Sequence, residues 1–113
     1  MKTLNLLLVF MVLGITALVA QDIKKEEFKV YGNCGMCEKR IEKAATELDG
    51  IVSADWDKES KMILVSFDAD KVSLEDIHKA IAKVGHDTDD EKADDEVYNG
   101  LPGCCQYERP EEE

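Results

Sequence analysis

The stretch that decides the fold covers residues 28–48 and reads FKVYGNCGMCEKRIEKAATEL. Phe28 and Val30 alternate with polar or charged neighbours, which is the period-2 pattern of a half-buried strand at about residues 27–31. From Cys37 onward the apolar residues recur on one helical face, at Ile41, Ala44, Ala45 and Leu48. The sequence therefore predicts a strand, a short loop and an amphipathic helix, with two cysteines where the loop meets the helix.

Two more strands and a second helix follow this unit. Residues 51–56 and 61–67 are rich in β-branched and aromatic side chains and are joined by a polar four-residue connection, which predicts a hairpin. Ser73, followed three residues later by Asp76, predicts a capping box, and Gly85 predicts the end of that helix. The order βαββα predicts an α+β sandwich with two helices on one face of an antiparallel sheet.

A fourth strand after Gly85 has little support in the sequence. Residues 86–91 read HDTDDE, and Asp is depleted in strands. We therefore expect the fourth strand to be weak or degraded, and at most a short edge piece. Residues 94–99 predict one helical turn with its acids at the N-terminal end, where the helix dipole favours them.

The N-terminus has the pattern of an export signal. Lys2 is followed by an almost continuously apolar run from Leu4 to Val19 and by the small residue Ala20. This pattern predicts a signal peptide over residues 1–20, cleaved after Ala20. A retained membrane anchor is the alternative, although the run is slightly shorter than the roughly 20 apolar residues that span a bilayer. We expect a soluble, exported and periplasmic chain with a linker over residues 21–26, in a compartment where disulfides persist.

Charge and length exclude several classes of function. The chain has 113 residues and a net charge of -11, and residues 87–113 alone hold 11 acidic and 2 basic side chains. This balance argues against nucleic-acid binding and against binding to anionic membranes, because both need a Lys/Arg surface. No catalytic triad, spaced acid–base pair or phosphate-binding Gly loop is visible, so we do not expect an enzyme.

The chemistry-bearing motif is Cys34-Gly35-Met36-Cys37. Its position at the start of a helix places both sulfurs beside free backbone N–H groups, which stabilise thiolates. Two thiolates at this spacing can close on one soft metal ion; Cu(I) is satisfied by few sulfur ligands, whereas a structural Zn(II) site takes four ligands.

On these residues the chain resembles the heavy-metal-associated domain family, which includes copper chaperones, domains of metal-pumping P-type ATPases and the periplasmic mercury-binding protein. The resemblance covers roughly residues 27–88 and rests on residues 32–37, the helix and hairpin after them, and Val84-Gly85-His86. It implies a ferredoxin-like βαββαβ sandwich. The family usually has a core Met two residues before the first cysteine, and this sequence has Gly32 there.

The resemblance also implies ligands, cargo and partners. Cys34 and Cys37 would be the metal ligands, with Cu(I) as the first expectation and Hg(II) or Zn(II) as further ones. The acceptor would be a metal-transporting ATPase or another metalloprotein, and the chain would be a monomer or a metal-bridged dimer.

Three other side chains with atoms that could bind a metal are two histidines and a methionine. His86 follows the glycine that ends the second helix, where family members approach the metal loop. It is a candidate third ligand or proton-linked neighbour, and the alternative is a solvated loop residue. We expect His78 to be a partly buried helix residue without metal, and Met36 to be an exposed contact for a partner.

The acidic tail, residues 89–113, carries the adjacent pair Cys104-Cys105. Adjacent cysteines rarely bond to each other, because disulfide geometry prefers larger Cα separations than neighbouring residues have. Three alternatives remain open. The pair completes a multi-thiolate metal site with Cys34 and Cys37, forms disulfides with the first loop, or lies on a disordered tail that binds metal independently.

Three functions are consistent with these features. The first is an exported protein that binds and transfers a soft metal through Cys-x-x-Cys thiolates. The second is a thiol-disulfide oxidoreductase, since such proteins also carry Cys-x-x-Cys at a helix start. The third is a small binding module in which disulfides only staple the fold.

Overall fold

The computed structural model describes residues 22–110, which form a sheet, helices packed on it and a folded tail. The sheet consists of β1 Ile23–Lys29, β2 Ile51–Trp56 and β3 Met62–Asp68. The helices are α1 Gly35–Thr46, α2 Leu74–Lys83 and the short α3 Asp95–Asn99, and a 3-10 turn follows at Gly103–Cys105. The predicted signal peptide, residues 1–20, lies outside the described residues. Within residues 22–110, no helix is long and apolar enough to cross a bilayer.

The core lies between the sheet and the two long helices. The strands are antiparallel in the order β1-β3-β2, with Ile63 of the central strand opposite both Phe28 and Trp56. One face of β3 is buried and packs against apolar stripes of both helices, through Ile63, Val65 and Phe67 on β3, Ile41 and Ala45 on α1, and Ile77 and Ile81 on α2. The predicted α+β sandwich is confirmed.

Helix α2 begins and ends as the sequence predicts. The Ser73 hydroxyl accepts a hydrogen bond from the Asp76 N–H, and the Asp76 carboxylate accepts one from the Ser73 N–H, both at 3.1 Å. Gly85 follows the helix with φ +109°, a conformation that favours glycine. A Cβ at Gly85 would approach the Leu101 side chain to 3.0 Å, so the glycine also lets the tail pack against the end of α2.

Within residues 22–110, the fourth strand is reduced to a single bridge. Val30 pairs with Thr88, and the Tyr31 N–H donates to the Asp87 carbonyl at 2.9 Å. The pairing stops there because the Thr88 hydroxyl bonds its own loop, accepting from the N–H groups of Asp90 and Glu91. The expected degradation of this strand is therefore observed.

Strand β1 is longer than predicted. It begins at Ile23, so most of the predicted linker over residues 21–26 belongs to the sheet. Lys24 lies opposite Phe67 and Glu26 opposite Val65. Side-chain alternation does not reveal these residues, because residues 23–27 are all exposed and only their backbone pairing with β3 places them in a strand.

The tail is part of the same folded unit. Leu101, Cys105 and Tyr107 are buried and join the hydrophobic core, so the tail packs against the sandwich. A disordered tail is therefore wrong for residues 89–110. The predicted helical turn at residues 94–99 is present as α3, and its Tyr98 packs edge-on against Tyr107.

Two polar side chains fasten the tail to the loop after α2. The buried Tyr107 hydroxyl donates to the Gly85 carbonyl at 2.8 Å and accepts from the Asp87 N–H at 2.7 Å. The Arg109 guanidinium donates to both carboxylate oxygens of Asp87 at 2.8 Å. Burial alone would raise the pKa of Asp87, but the hydrogen bonds from Arg109 and the Ala93 N–H outweigh it and hold this pKa below its ordinary value.

Replacing Tyr107 by Phe should lower the free energy of unfolding by about 1–3 kcal/mol, because it leaves a buried carbonyl and a buried N–H unpaired. Denaturant unfolding followed by the fluorescence of Trp56, the single tryptophan, measures this loss. Tyr31→Phe is the matched control, since the Tyr31 hydroxyl makes no hydrogen bond within residues 22–110. Equal effects of the two variants would contradict this account of the tail.

The Asp87–Arg109 pair should make stability depend on pH. Because the folded state lowers the pKa of Asp87, its stabilisation is complete above the unfolded-chain pKa of about 3.9 and is lost as the pH falls through the lower folded value. Comparing the free energies of unfolding of the wild type and Asp87→Asn from about pH 7 to pH 2 measures this. The wild-type advantage should be constant near neutral pH and shrink in acid; an advantage unchanged down to pH 2 contradicts the assignment.

Candidate metal centre

The first cysteine pair lies where the loop after β1 enters α1. Cys34 is the residue that precedes the helix, in extended conformation, and Cys37 is buried in its first turn. The two Sγ atoms are 3.4 Å apart. The sequence-predicted pair is therefore brought together, with one sulfur partly open to solvent and the other in the core.

The two thiols differ in acidity because their surroundings differ. The backbone N–H of Cys37, at the N-terminal end of α1, is the main influence that lowers the pKa of Cys34 to about 6. Burial raises the pKa of Cys37 to about 11. Cys34 is thus the more readily ionised sulfur at neutral pH.

Trp56 packs against the cysteine-containing loop at Gly32. It is buried beneath Gly32, where a Cβ would approach the Trp56 ring to 3.1 Å and the Cys37 Cβ to 3.2 Å. The indole N–H donates to the Val30 carbonyl at 3.0 Å, which ties the ring to the strand before the loop. The large ring therefore occupies the space around Gly32, the position where the resemblance leads us to expect a Met.

The tail brings the second cysteine pair to the first. The Cys105 Sγ lies 3.8 Å from the Cys34 Sγ and 4.0 Å from the Cys104 Sγ. Cys34, Cys104 and Cys105 form a group whose sulfur atoms all lie within 4.8 Å of one another. All four cysteines are free thiols, so the disulfide alternative is not the state of this structure. Cys105 is fully buried and Cys104 is exposed.

Arg40 contacts this sulfur group from α1. Its guanidinium donates a hydrogen bond to the Cys105 Sγ at 3.2 Å. Arg40 lies three residues after Cys37, one helical turn along the same helix, so its side chain emerges beside the cysteine loop. Sequence reasoning missed this residue, because no local pattern links it to a cysteine 65 positions away.

His86 lies near the cysteine loop but outside the sulfur group. It is fully buried, so the expectation of a solvated loop residue is wrong. Its Nδ1 bonds the Tyr31 carbonyl at 2.8 Å, its ring stacks on Tyr107, and its Nε2 has no hydrogen-bond partner among residues 22–110. Burial lowers the pKa of His86, which favours the neutral ring. Among the described groups of three ligating atoms, none contains His86.

His78 is a buried residue of α2, as its position in the sequence predicts. It is buried and stacked on Phe28. Its Nδ1 lies 2.6 Å from the Thr88 hydroxyl and its Nε2 lies 3.7 Å from an Asp90 carboxylate oxygen. His78, Asp89 and Asp90 lie within ligating distance of one another, but Nδ1 is already bonded to Thr88.

Met36 is 51% exposed on the surface beside the cysteines. It lines a groove of about 880 Å³ between α1 and α2, together with Arg40, Lys43 and Lys83. The expectation that Met36 is an exposed surface residue is met.

Known proteins resemble this chain over its sandwich. Residues 28–87 match the model of the heavy-metal-associated domain. The copper chaperone CopZ of Bacillus subtilis is 44% identical over 66 residues, which cover 58% of this chain and 96% of that protein. CopZ of Staphylococcus saprophyticus is 40% identical over 63 residues, covering 55% of this chain and 93% of its own.

Solved structures agree in fold. A CopZ metallochaperone superimposes with a TM-score of 0.56 at 33% identity, covering 57% of this chain and 98% of its own. Oxidized MerP from Ralstonia metallidurans does so with a TM-score of 0.56 at 27% identity, covering 58% and 93%. The family match includes Cys34 and Cys37 and ends before the tail pair, and it spans more than half of the 113 residues. The chain therefore belongs to the heavy-metal-associated domain family.

Proposed function

We propose that this chain is an exported carrier that binds Cu(I) through the thiolates of Cys34 and Cys37 and passes it to a metal-transporting ATPase or another metalloprotein. The observation that carries the proposal is the pair of free thiols 3.4 Å apart at the N-terminus of α1. A d10 ion with few soft ligands suits this donor set, whereas Ca(II) and Mg(II) prefer oxygen.

The local chemistry supports capture of a soft ion. The ionised sulfur is the ligand, and the pKa of about 6 for Cys34 leaves it mostly ionised at neutral pH. The thiol of Cys37, whose pKa is raised, loses its proton when the metal binds to the sulfur. Cys34 thus provides the first contact and Cys37 the closing ligand.

The relatives support the choice of copper. Matched proteins are named copper chaperones, and matched structures include the N-terminal domain of a potential copper-translocating P-type ATPase of Bacillus subtilis. Hg(II) and Zn(II) remain further candidates, because soft thiolate sites accept both.

Replacing both cysteines should abolish tight binding. In an anaerobic Cu(I) competition titration on reduced protein, Cys34→Ser/Cys37→Ser should bind at least about 100-fold more weakly, since even the loss of an outer-shell partner weakens metal sites by 10–100-fold. Met36→Leu is the matched control within the same motif and should leave the affinity unchanged.

Unchanged affinity in the double variant overturns the metal-binding proposal. Insulin-reduction activity that depends on Cys34 and Cys37 would instead favour the thiol-disulfide oxidoreductase, for which the two thiols of different acidity at a helix N-terminus are the supporting observation.

Export is a separate part of the proposal and rests on the apolar run of residues 4–19 followed by Ala20. N-terminal sequencing of the protein recovered from its native compartment should give a chain that begins at Gln21. An intact Met1 in that fraction contradicts cleavage.

A further inference from the structure

The four cysteine sulfur atoms form one cluster. The Cys34 Sγ lies 3.4 Å from the Cys37 Sγ and 3.8 Å from the Cys105 Sγ. The Cys104 Sγ lies 4.0 Å from the Cys105 Sγ and within 4.8 Å of the Cys34 Sγ. Two of these sulfurs come from the start of α1 and two from the 3-10 turn of the tail. Residues more than 65 positions apart in the sequence thus share one small volume.

The separations can be compared with those of sulfurs that share one ion. With metal–sulfur bonds of about 2.3 Å, two opposed ligands lie about 4.6 Å apart, three ligands in a plane about 4.0 Å, and four tetrahedral ligands about 3.8 Å. The 3.4 Å between Cys34 and Cys37 is shorter than all three values. The 3.8 Å between Cys34 and Cys105 is close to the values for three or four ligands.

We propose that the tail completes the site of the proposed function by supplying Cys105 as a third thiolate ligand beside Cys34 and Cys37. The inference rests on that function and adds a ligand outside the matched domain, which ends at residue 87. Cys104 is exposed, but its sulfur also lies within 4.8 Å of those of Cys34 and Cys105, so it is the rival third ligand that the experiment must distinguish.

Cys105 is held in place before any metal arrives. Its N–H donates to the Pro102 carbonyl at 2.8 Å, which closes the turn. Two residues further on, Tyr107 is buried and bonded to Gly85 and Asp87. The sulfur of Cys105 therefore faces Cys34 without needing the tail to fold on binding, so little ordering entropy opposes coordination.

Arg40 acts as a positioning residue for this ligand. Three thiolates around Cu(I) leave a net charge of -2, and burying such a charge requires a nearby cation. The Arg40 guanidinium, 3.2 Å from the Cys105 Sγ, provides that cation and fixes the orientation of the sulfur. Lys39, one residue earlier on the same helix, has no such contact with a cysteine among the described residues.

X-ray absorption on the mature protein loaded anaerobically with one equivalent of Cu(I) counts the sulfur ligands. We expect three in the wild type and in Cys104→Ser, and two in Cys105→Ser. In competition titrations, Cys105→Ser should bind Cu(I) at least about 10-fold more weakly than the wild type, and Cys104→Ser should bind more tightly than Cys105→Ser. The adjacent cysteine is the matched control, since both variants carry the same change in the same turn.

Arg40 is tested through the rate of metal loss. Arg40→Met should release Cu(I) to an excess of chelator faster than Lys39→Met, and Arg40→Lys should recover part of the difference. Trp56 fluorescence of each variant without metal checks that the fold is intact, which a purely structural role of Arg40 would alter.

The outcomes separate this inference from the function on which it rests. Loss of binding in Cys34→Ser/Cys37→Ser, with a wild-type sulfur count and affinity in Cys105→Ser, overturns the third ligand and leaves the carrier function standing. A larger loss in Cys104→Ser than in Cys105→Ser also overturns it. Undiminished binding in Cys34→Ser/Cys37→Ser overturns the function itself.

Discussion

A buried carboxylate determines where the tail of this protein lies. Asp87 is only 1% exposed, and a charge at such a position must be paired and hydrogen-bonded. Its partner, Arg109, belongs to the tail. Because removing one partner of a buried ion pair leaves an uncompensated charge, the tail cannot detach without a large loss of stability. The positions of Tyr107 and Cys105 depend on this ion pair, because both residues lie in the same tail segment as Arg109.

The same network takes the place of a regular fourth strand. A strand would satisfy the edge of β1 with a ladder of backbone hydrogen bonds, but in the part of the chain that the structure describes only the pairing around Val30 and Thr88 is present. Hydrogen bonds of side chains hold the rest of this segment in place. They are made by the Thr88 hydroxyl, the Asp87 carboxylate and the Tyr107 hydroxyl. An acidic segment with poor strand propensity can therefore close the sandwich, because its polar groups bond one another instead of a strand.

The sequence predicts the sandwich, the first cysteine pair and the helix caps, because all of these depend on local spacing: apolar periodicity for α1, the Ser73–Asp76 pair for α2, and two cysteines at a helix start. The start of β1 is not predictable in this way, since its exposed residues are in a strand only through pairing with β3. Arg40 beside Cys105 and Trp56 beneath Gly32 depend on contacts between distant segments. The sequence leaves the tail open between a segment that completes the metal site, one linked by disulfides and a disordered one; in the structure, three of its apolar side chains and Arg109 hold it in place.

A metal carrier of the proposed kind must hold its cargo and also release it, and the cluster of four cysteine sulfurs contains sites suited to each demand. Cys37 and Cys105 are fully buried, so an incoming thiolate cannot reach them without rearrangement of the core or of the tail. Cys34 is partly exposed and Cys104 is exposed, so both can meet a ligand from solvent. If the ion is held by Cys34, Cys37 and Cys105, ligand exchange must begin on the side of Cys34. The buried sulfurs then oppose loss of the ion, and the partly exposed Cys34 is where the ligand of an acceptor enters.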